Sequence, residues 1–209
     1  VPGGTRVDLD DAQQQWLRQV LTEVRAGVVL TSRAVLANAA VMDRMAGTGV
    51  LTPTVARDLA VTGPAARASG LMHDVRRDHP YAFYQELDFQ VVRREAGDVQ
   101  ARFEVRTDEI LESMNLIEQL VNRMPGGLLS QHLGPLPPET WGFGMVESPR
   151  GLLSHWLRVT EEGRVADWRV RSASHALWPA LAQAVPGNIV PDFPLINKSF
   201  NLCYACCDK

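Results

Sequence analysis

Between Val99 and Met124 the apolar residues Phe103, Ile110, Met114, Ile117, Val121 and Met124 recur at intervals of three, four or seven, and Pro125-Gly126-Gly127 ends the run. This spacing places all six on one stripe of a 3.6-residue turn, so the segment reads as a long helix with one apolar face. A helix of this length needs neighbours along its whole flank, and the rest of the chain must be arranged around it. Upstream, Asp10 or Asp11 caps a helical pattern that begins after Val7-Asp8-Leu9 and carries Trp16, Val20, Leu21, Val24 and Val28. Val35, Leu36, Ala39, Met42 and Met45 continue it to Gly47, with Gly27 as a break or kink. Thr52 and Pro53 start a short helix to Ala60, residues 62–70 read as turn, short helix and turn, and Phe89–Val92 reads as a short strand.

Beyond the long helix the period changes. Gly142–Val146, Leu152–Val159 and Val165–Val170 read as strands, and Glu162-Gly163 as a hairpin turn between the last two. Ser174 is positioned to cap a helix over Ala176–Ala184, and Asp192–Lys209 carries a last apolar set before the cysteines. Helices, then a small antiparallel sheet, then more helix make an α+β fold.

With 45% hydrophobic and 22% charged residues among 209, the chain can bury a core without disulfides. Twenty-one basic against 24 acidic residues leave a net charge of −3, so no nucleic-acid partner is expected. Three cysteines confined to Cys203–Cys207 do not make a disulfide framework and fit a reducing compartment. The longest stretch without a formal charge, Ser172–Pro191, contains three prolines, His175, Gln183 and Asn188, which argues against a membrane span. The N-terminus lacks the pattern of a signal peptide. Residues 1–209 are expected to form a single domain, and a start at Val1 rather than Met suggests an N-terminally truncated fragment, inactive in isolation.

Nucleotide-binding fingerprints fail on context. Gly47-Thr-Gly49 lacks a third glycine and follows a helix, and no Walker loop, nucleophile elbow or His-Glu-x-x-His helix is present. Three local patterns remain. Cys203-Tyr-Ala-Cys206 has the spacing that lets two thiolates reach one soft metal, although two buried thiols at a chain end would look the same. Glu147-Ser-Pro-Arg150-Gly151, followed by His155, fixes a tight loop from which a permanently charged guanidinium projects. The plainer reading is a turn with a surface ion pair. Arg67-Ala-Ser-Gly70 followed by Asp74-Val-Arg76 opens a dense run of charge, which a solvated loop of interlaced ion pairs would also explain.

The ordered set Arg44-x-x-Gly47-x-Gly49, Gly63-Pro, Arg67-Ala-Ser-Gly70, Asp74-x-Arg76, Pro80-Tyr81, Tyr84, Gly97-Asp98, Arg102, Arg106, Glu109, Ser113, Pro125-x-Gly127 and Glu147-x-Pro-Arg-Gly151, with Pro2-Gly-Gly-x-Arg6 at the start, resembles a known superfamily. It is similar to the catalytic large subunit of membrane-bound, energy-converting [NiFe] hydrogenases and to the quinone-proximal D-type subunit of respiratory complex I. The resemblance spans nearly the whole chain and implies a hydrogenase-large-subunit-like fold. It implies that Arg150 and Asp74 do the chemistry: Arg150 over a metal site, Asp74 beside a quinone pocket. Glu147 and His155 would support the metal site, Arg76 belongs to the Asp-x-Arg segment, and Arg44 with Gly47 and Gly49 would shape the contact with a small iron–sulfur subunit. Cys203 and Cys206 match half of a four-thiolate nickel–iron site. The other cysteine pair of the hydrogenases is absent here, and Asn201-Leu202 stands where those enzymes carry Asp-Pro.

The expectation that follows is a subunit of a complex I-like NADH-quinone oxidoreductase, with a quinone or a Ni-Fe centre as the group acted on. A neighbouring iron–sulfur cluster on a partner and membrane-arm subunits would complete it, at the cytoplasmic face of the membrane. The alternatives are the large subunit of an energy-converting hydrogenase, and a non-catalytic structural component that only docks.

Overall fold

The computed structural model describes residues 4–5, 7–124 and 126–207. Pro2, Gly3 and Arg6 of the N-terminal motif, the expected helix stop at Pro125, and Asp208-Lys209 lie outside them. Helix α1 (Asp11–Leu36) starts with a capping box: Asp10 Oδ1 accepts from the Gln13 amide at 2.8 Å, and Gln13 Oε1 accepts from the Asp10 amide at 3.0 Å. It runs through Gly27 without a break. The interruption comes at Ala37, after which Asn38 caps α2 (Ala39–Met45) by accepting from the amides of Ala40 and Val41, and the chain bends by 81°. No single helix among the described residues is long and apolar enough to cross a membrane.

Helices α3 (Pro53–Asp58) and α4 (Gly63–Ala68) follow the turn at 47–51. Every residue of α4 is buried, Arg67 included, which its small side chains make possible. Helix α5 (Val75–Asp78) is one turn, capped by Asp74. Residues 89–92 do not form a strand. The amides of Asp88 and Gln90 are taken instead by the side chains of Gln119 and Glu112 on α6, so no ladder forms there.

Helix α6 (Val99–Asn122) is the expected long element. Asp98 caps it, accepting from Ala101 through Oδ1 at 2.7 Å, and with Oδ2 accepts from Gly47, tying the glycine turn to the helix start. Its buried set is Val99, Ala101, Arg102, Val105, Met114, Leu116 and Val121, which differs from the predicted stripe. Met114 and Val121 are core, but Ile110 and Ile117 remain exposed. The reason is geometric: α4 and α8 cover the first half of the helix and α1 lies along it as well, while Ile110 and Ile117 face a cleft.

Strands β1 (Trp141–Ser148), β2 (Gly151–Val159) and β3 (Val165–Arg171) form an antiparallel meander in the order β1-β2-β3. The register runs from Trp141 opposite Arg158 to Ser148 opposite Gly151, leaving Pro149-Arg150 as the hairpin loop. Gly163 turns β2 into β3 at φ +75°. Helix α7 (Ser174–Ala184) begins two residues before the expected start, so Ser174 lies within the helix rather than capping it, and its buried hydroxyl has no hydrogen-bond partner among the described residues. Helix α8 (Phe193–Phe200) ends at Asn201 in the left-handed conformation. Leu51, Ala56, Val61, Ala65, Ala66, Leu177, Ala180, Ile196 and Phe200 form the main core, where α3, α4, α7 and α8 meet the start of α6. The architecture is α+β, a helical core with a small antiparallel sheet.

Candidate functional site

Arg67 organises the site. Its helix is short and made of small residues, so the guanidinium cannot escape to solvent, and the side chain is 1% exposed. A buried cation needs anions and acceptors around it. Arg67 Nε donates to Glu109 Oε1 at 2.6 Å, and Nη1 donates to Glu147 Oε1 and to the His73 carbonyl, both at 2.9 Å. Asp74 Oδ2 lies 3.5 Å from the same nitrogen.

Asp74 is fully buried and gripped by Arg76 through two bonds, Nε to Oδ1 at 3.0 Å and Nη2 to Oδ2 at 2.7 Å. Burial alone would raise its pKa, but the Arg76 hydrogen bond and the charges of Arg67 and Arg76 outweigh it and hold the carboxyl below the usual carboxylate range. Glu147, at the end of β1, behaves in the opposite way. Burial pushes it up, the Asp74 charge adds to the push, and Arg67 recovers only part of it. Glu147 Oε2 accepts from the Val75 amide at 3.2 Å, and the Glu147 amide donates to the Tyr81 hydroxyl. Two guanidinium groups and three carboxylates therefore share one knot where α4, α5, α6 and β1 converge.

This knot lines a cleft of about 670 Å³. Arg67, Arg76, Glu109 and Glu147 supply its charged wall, Leu21, Ile110, Met114 and Ile117 its apolar wall, and Pro149, Arg106 and Asn201 its far end. Apolar area with a few convergent polar groups is the usual composition of a small-molecule site. At the far end Arg106 donates to the carbonyls of Pro149, Ser199 and Phe200, and Arg150 Nε donates to the Asn201 carbonyl at 2.6 Å. Arg102, one turn before Arg106, is buried without a carboxylate bond. It reaches Gly49 O, Gly97 O and Ser199 Oγ and lies 4.2 Å over the Phe200 ring. Burial lowers its pKa to about 9, so it stays charged at neutral pH.

The two α6 arginines thus fix the chain leading to the cysteines. Cys203 and Cys206 are half-buried and outside any disulfide. A hydrogen bond with Cys206 holds the Cys203 thiol below its ordinary range, and the Arg150 charge works in the same direction. Among the described residues no three His, Cys, Asp or Glu side chains are placed to hold one metal. Two sulfur donors fall short of the four thiolates of a nickel–iron centre, so the described residues do not by themselves fit that group.

Of the residues singled out from sequence, Asp74, Arg76 and Glu147 come together in the knot. Arg150, Cys203 and Cys206 gather at the adjoining end, linked to the knot by the four-residue path from Glu147 to Arg150. Arg44 is elsewhere, paired with Asp192 at 2.8 Å. His155 is mid-strand in β2, stacked on Trp168 and accepting from its indole nitrogen at 3.1 Å. Arg67, Glu109 and Arg106 belong to the motif set read from the sequence but had no site role assigned there, yet they carry the cleft. The available signal was a lone arginine inside the small-residue run Gly63–Ser69, and a carboxylate three positions after Arg106 on the same helix face.

An α+β scaffold with a buried charge knot opening on a half-apolar cleft, and a cysteine pair beside it, agrees with the class the motif set resembles, the redox subunits of respiratory and hydrogen-converting complexes. In two overlapping segments, residues 1–138 and 130–209, the chain matches the family described as respiratory-chain NADH dehydrogenase, 49 Kd subunit, and it belongs to that family. It is 35% identical to formate hydrogenlyase subunit 5 of Escherichia coli (strain K12) over 99% of this chain and 36% of that protein. It is also 35% identical to the D 2 subunit of the NADH-quinone oxidoreductase of Salinispora tropica over 94% of this chain and 52% of the relative. A chain in the structure of the membrane-bound sulfane sulfur reductase, an archaeal respiratory membrane complex, superposes with a TM-score of 0.93 at 27% identity, covering 100% of this chain and 59% of that one. The chain spans between about a third and about half of the length of these curated relatives.

Proposed function

We propose that this chain forms the quinone-proximal part of the redox subunit of a complex I-like NADH-quinone oxidoreductase. In this reading it acts with a small iron–sulfur subunit and membrane-arm subunits, held peripherally at the cytoplasmic face of the membrane, and is inactive alone. The observation that carries the reading is the cleft. One wall is apolar, as a quinone ring requires, and the other holds Arg67, Arg76, Glu109 and Glu147, with Asp74 paired to both arginines behind it. Quinone reduction takes up two electrons and two protons. The electrons would come from a cluster on the partner subunit. Asp74, kept ionised and clamped by Arg76, orients the hydrogen-bonding groups beside the ring, while Arg106 at the far end offsets negative charge developing on the ring oxygens. The test is Asp74→Asn in the assembled complex: quinone-linked turnover falls by about tenfold or more while the partner clusters are still reduced. Unchanged turnover overturns the reading.

The second reading, a large subunit of an energy-converting hydrogenase, is favoured by one feature, the hydrogen-bonded Cys203–Cys206 pair beside Arg150. It requires further thiolates beyond the described residues. Nickel and iron in near-equal amounts in the anaerobically purified native protein, lost on Cys203→Ser, support it; a matured preparation without nickel removes it.

A further inference from the structure

We infer that Glu147 is a proton relay that connects a second cavity to the cleft; this deepens the function proposed above and rests on it. A cavity of about 330 Å³ lies against the knot on the side away from α6, bounded by Val61, Leu71, His73, Asp74, Val75 and Leu152 among others. Among the described residues Glu147 is the one that lines both this cavity and the cleft. The space is large enough for several waters, each occupying about 30 Å³. At its rim stand His73, Asp78 and His79, with His73 Nδ1 3.4 Å from Asp78 Oδ2 and the His73 side chain 75% exposed. Exchangeable groups at the mouth, the Asp74 and Glu147 carboxylates in the wall and room for water are what proton entry needs.

The bonding of Glu147 suits the role. Oε1 takes one bond from Arg67 and Oε2 one from the Val75 amide, so each oxygen keeps a lone pair for a proton. The groups around it are Arg67 on α4, Asp74, the Val75 amide and Arg76 at α5, and Tyr81 after it; Glu109 and Arg106 on α6 line the same cleft and Asp78 the same side cavity. Burial and the Asp74 charge raise its pKa, which brings the two protonation states closer in free energy. Asp74 does not have this freedom: both its oxygens are held by Arg76, and it lines only the side cavity. The cycle is one of protons alone. A hydronium at the rim gives up a proton, water carries it inward, and the Glu147 carboxylate binds it. The resulting acid then releases it to the reduced acceptor in the cleft and returns to the anion.

The experiment uses the assembled complex with Glu147→Gln, Glu147→Asp and Leu71→Trp, the last filling the side cavity without altering any charged residue. Turnover is followed against pH in H₂O and D₂O. Expected for Glu147→Gln is a loss of about 100-fold, the usual contribution of a general acid–base group, with a raised solvent isotope effect, an unchanged quinone KM, and substantial recovery in Glu147→Asp. Leu71→Trp lowers turnover and raises the isotope effect while the partner clusters still become reduced. Glu147→Gln with the wild-type pH profile and isotope effect overturns the relay, as does a Leu71→Trp complex indistinguishable from wild type. A wild-type complex that evolves hydrogen and reduces no quinone refutes the proposed function only. The same variants, read by hydrogen evolution with the same isotope criterion, then decide the relay.

Discussion

Replacing Arg67 with methionine removes the cation on which three carboxylates converge and keeps most of the side-chain volume. The three ion pairs, at 2.6, 2.9 and 3.5 Å, are each attractive by roughly 5–6 kcal/mol at an effective dielectric near 20. Desolvation of the buried ions takes back several kcal/mol per group, so the pairs as formed contribute little net stability. The asymmetry appears on truncation. The Glu147 and Asp74 side chains are 6% and 0% exposed, and removing one partner of a buried pair costs about 3–5 kcal/mol. For a folded unit of about 200 residues each kcal/mol moves Tm by about 2–4 °C, so the expected drop is about 6–20 °C at neutral pH. Thermal unfolding of the assembled complex measures it. Acidification shrinks the deficit, because the stranded carboxylates then take up protons. The double variant Arg67→Met/Glu147→Gln recovers part of the loss, since the two changes share a contact. A drop under about 2 °C, or strict additivity in the double variant, refutes the view that Arg67 is the charge on which the knot depends.

Two further outcomes follow from the same geometry. Asp74 has a native pKa below its unfolded value near 3.8, so its stabilisation is present above the carboxylate range and is lost as pH falls through the depressed native value. The Tm gap between wild type and Asp74→Asn is therefore full at neutral pH and closes below about pH 4; a gap that widens on acidification contradicts the assignment. Gly63 sits at φ +73°, and a β-carbon there would lie 2.4 Å from the Arg150 carbonyl oxygen. Gly63→Ala costs about 1–2 kcal/mol in backbone strain before the collision is counted. It displaces the 149–151 loop, read as lost turnover with faster proteolysis at that loop.

Element type was legible wherever the period was long. The pattern over residues 99–124 corresponds to a helix over Val99–Asn122, and the three predicted strands differ from the observed ones by at most two residues at either end. Local spacing could not show which face of α6 is buried. Ile110 and Ile117 look like core by their period, yet they line the cleft, because burial depends on where α1, α4 and α8 lie. Phe89–Val92 has strand composition but no neighbour to pair with, and side chains of α6 took the flanking amides. Gly27 is no break because a glycine on an exposed helix surface costs only about 1 kcal/mol, whereas Asn38 restarts the helix by capping. The motif residues Asp74, Arg76 and Glu147 were legible as separate patterns. Their meeting at Arg67 was not, since the contacts join residues 42 and 80 positions apart in sequence.

The two ends of the cleft are electrically unlike. At one end the carboxylates outnumber their guanidinium partners by one. At the other, Arg106 and Arg150 direct their N–H groups to main-chain carbonyls, which carry no formal charge to cancel theirs. A polar occupant therefore meets a built-in field along the long axis of the cavity. In the function proposed above, an elongated guest that gains negative charge on accepting electrons would be drawn toward the cysteine end as it is reduced and would lose that pull once neutralised by protons, so the gradient that holds the charged intermediate would let the finished molecule go.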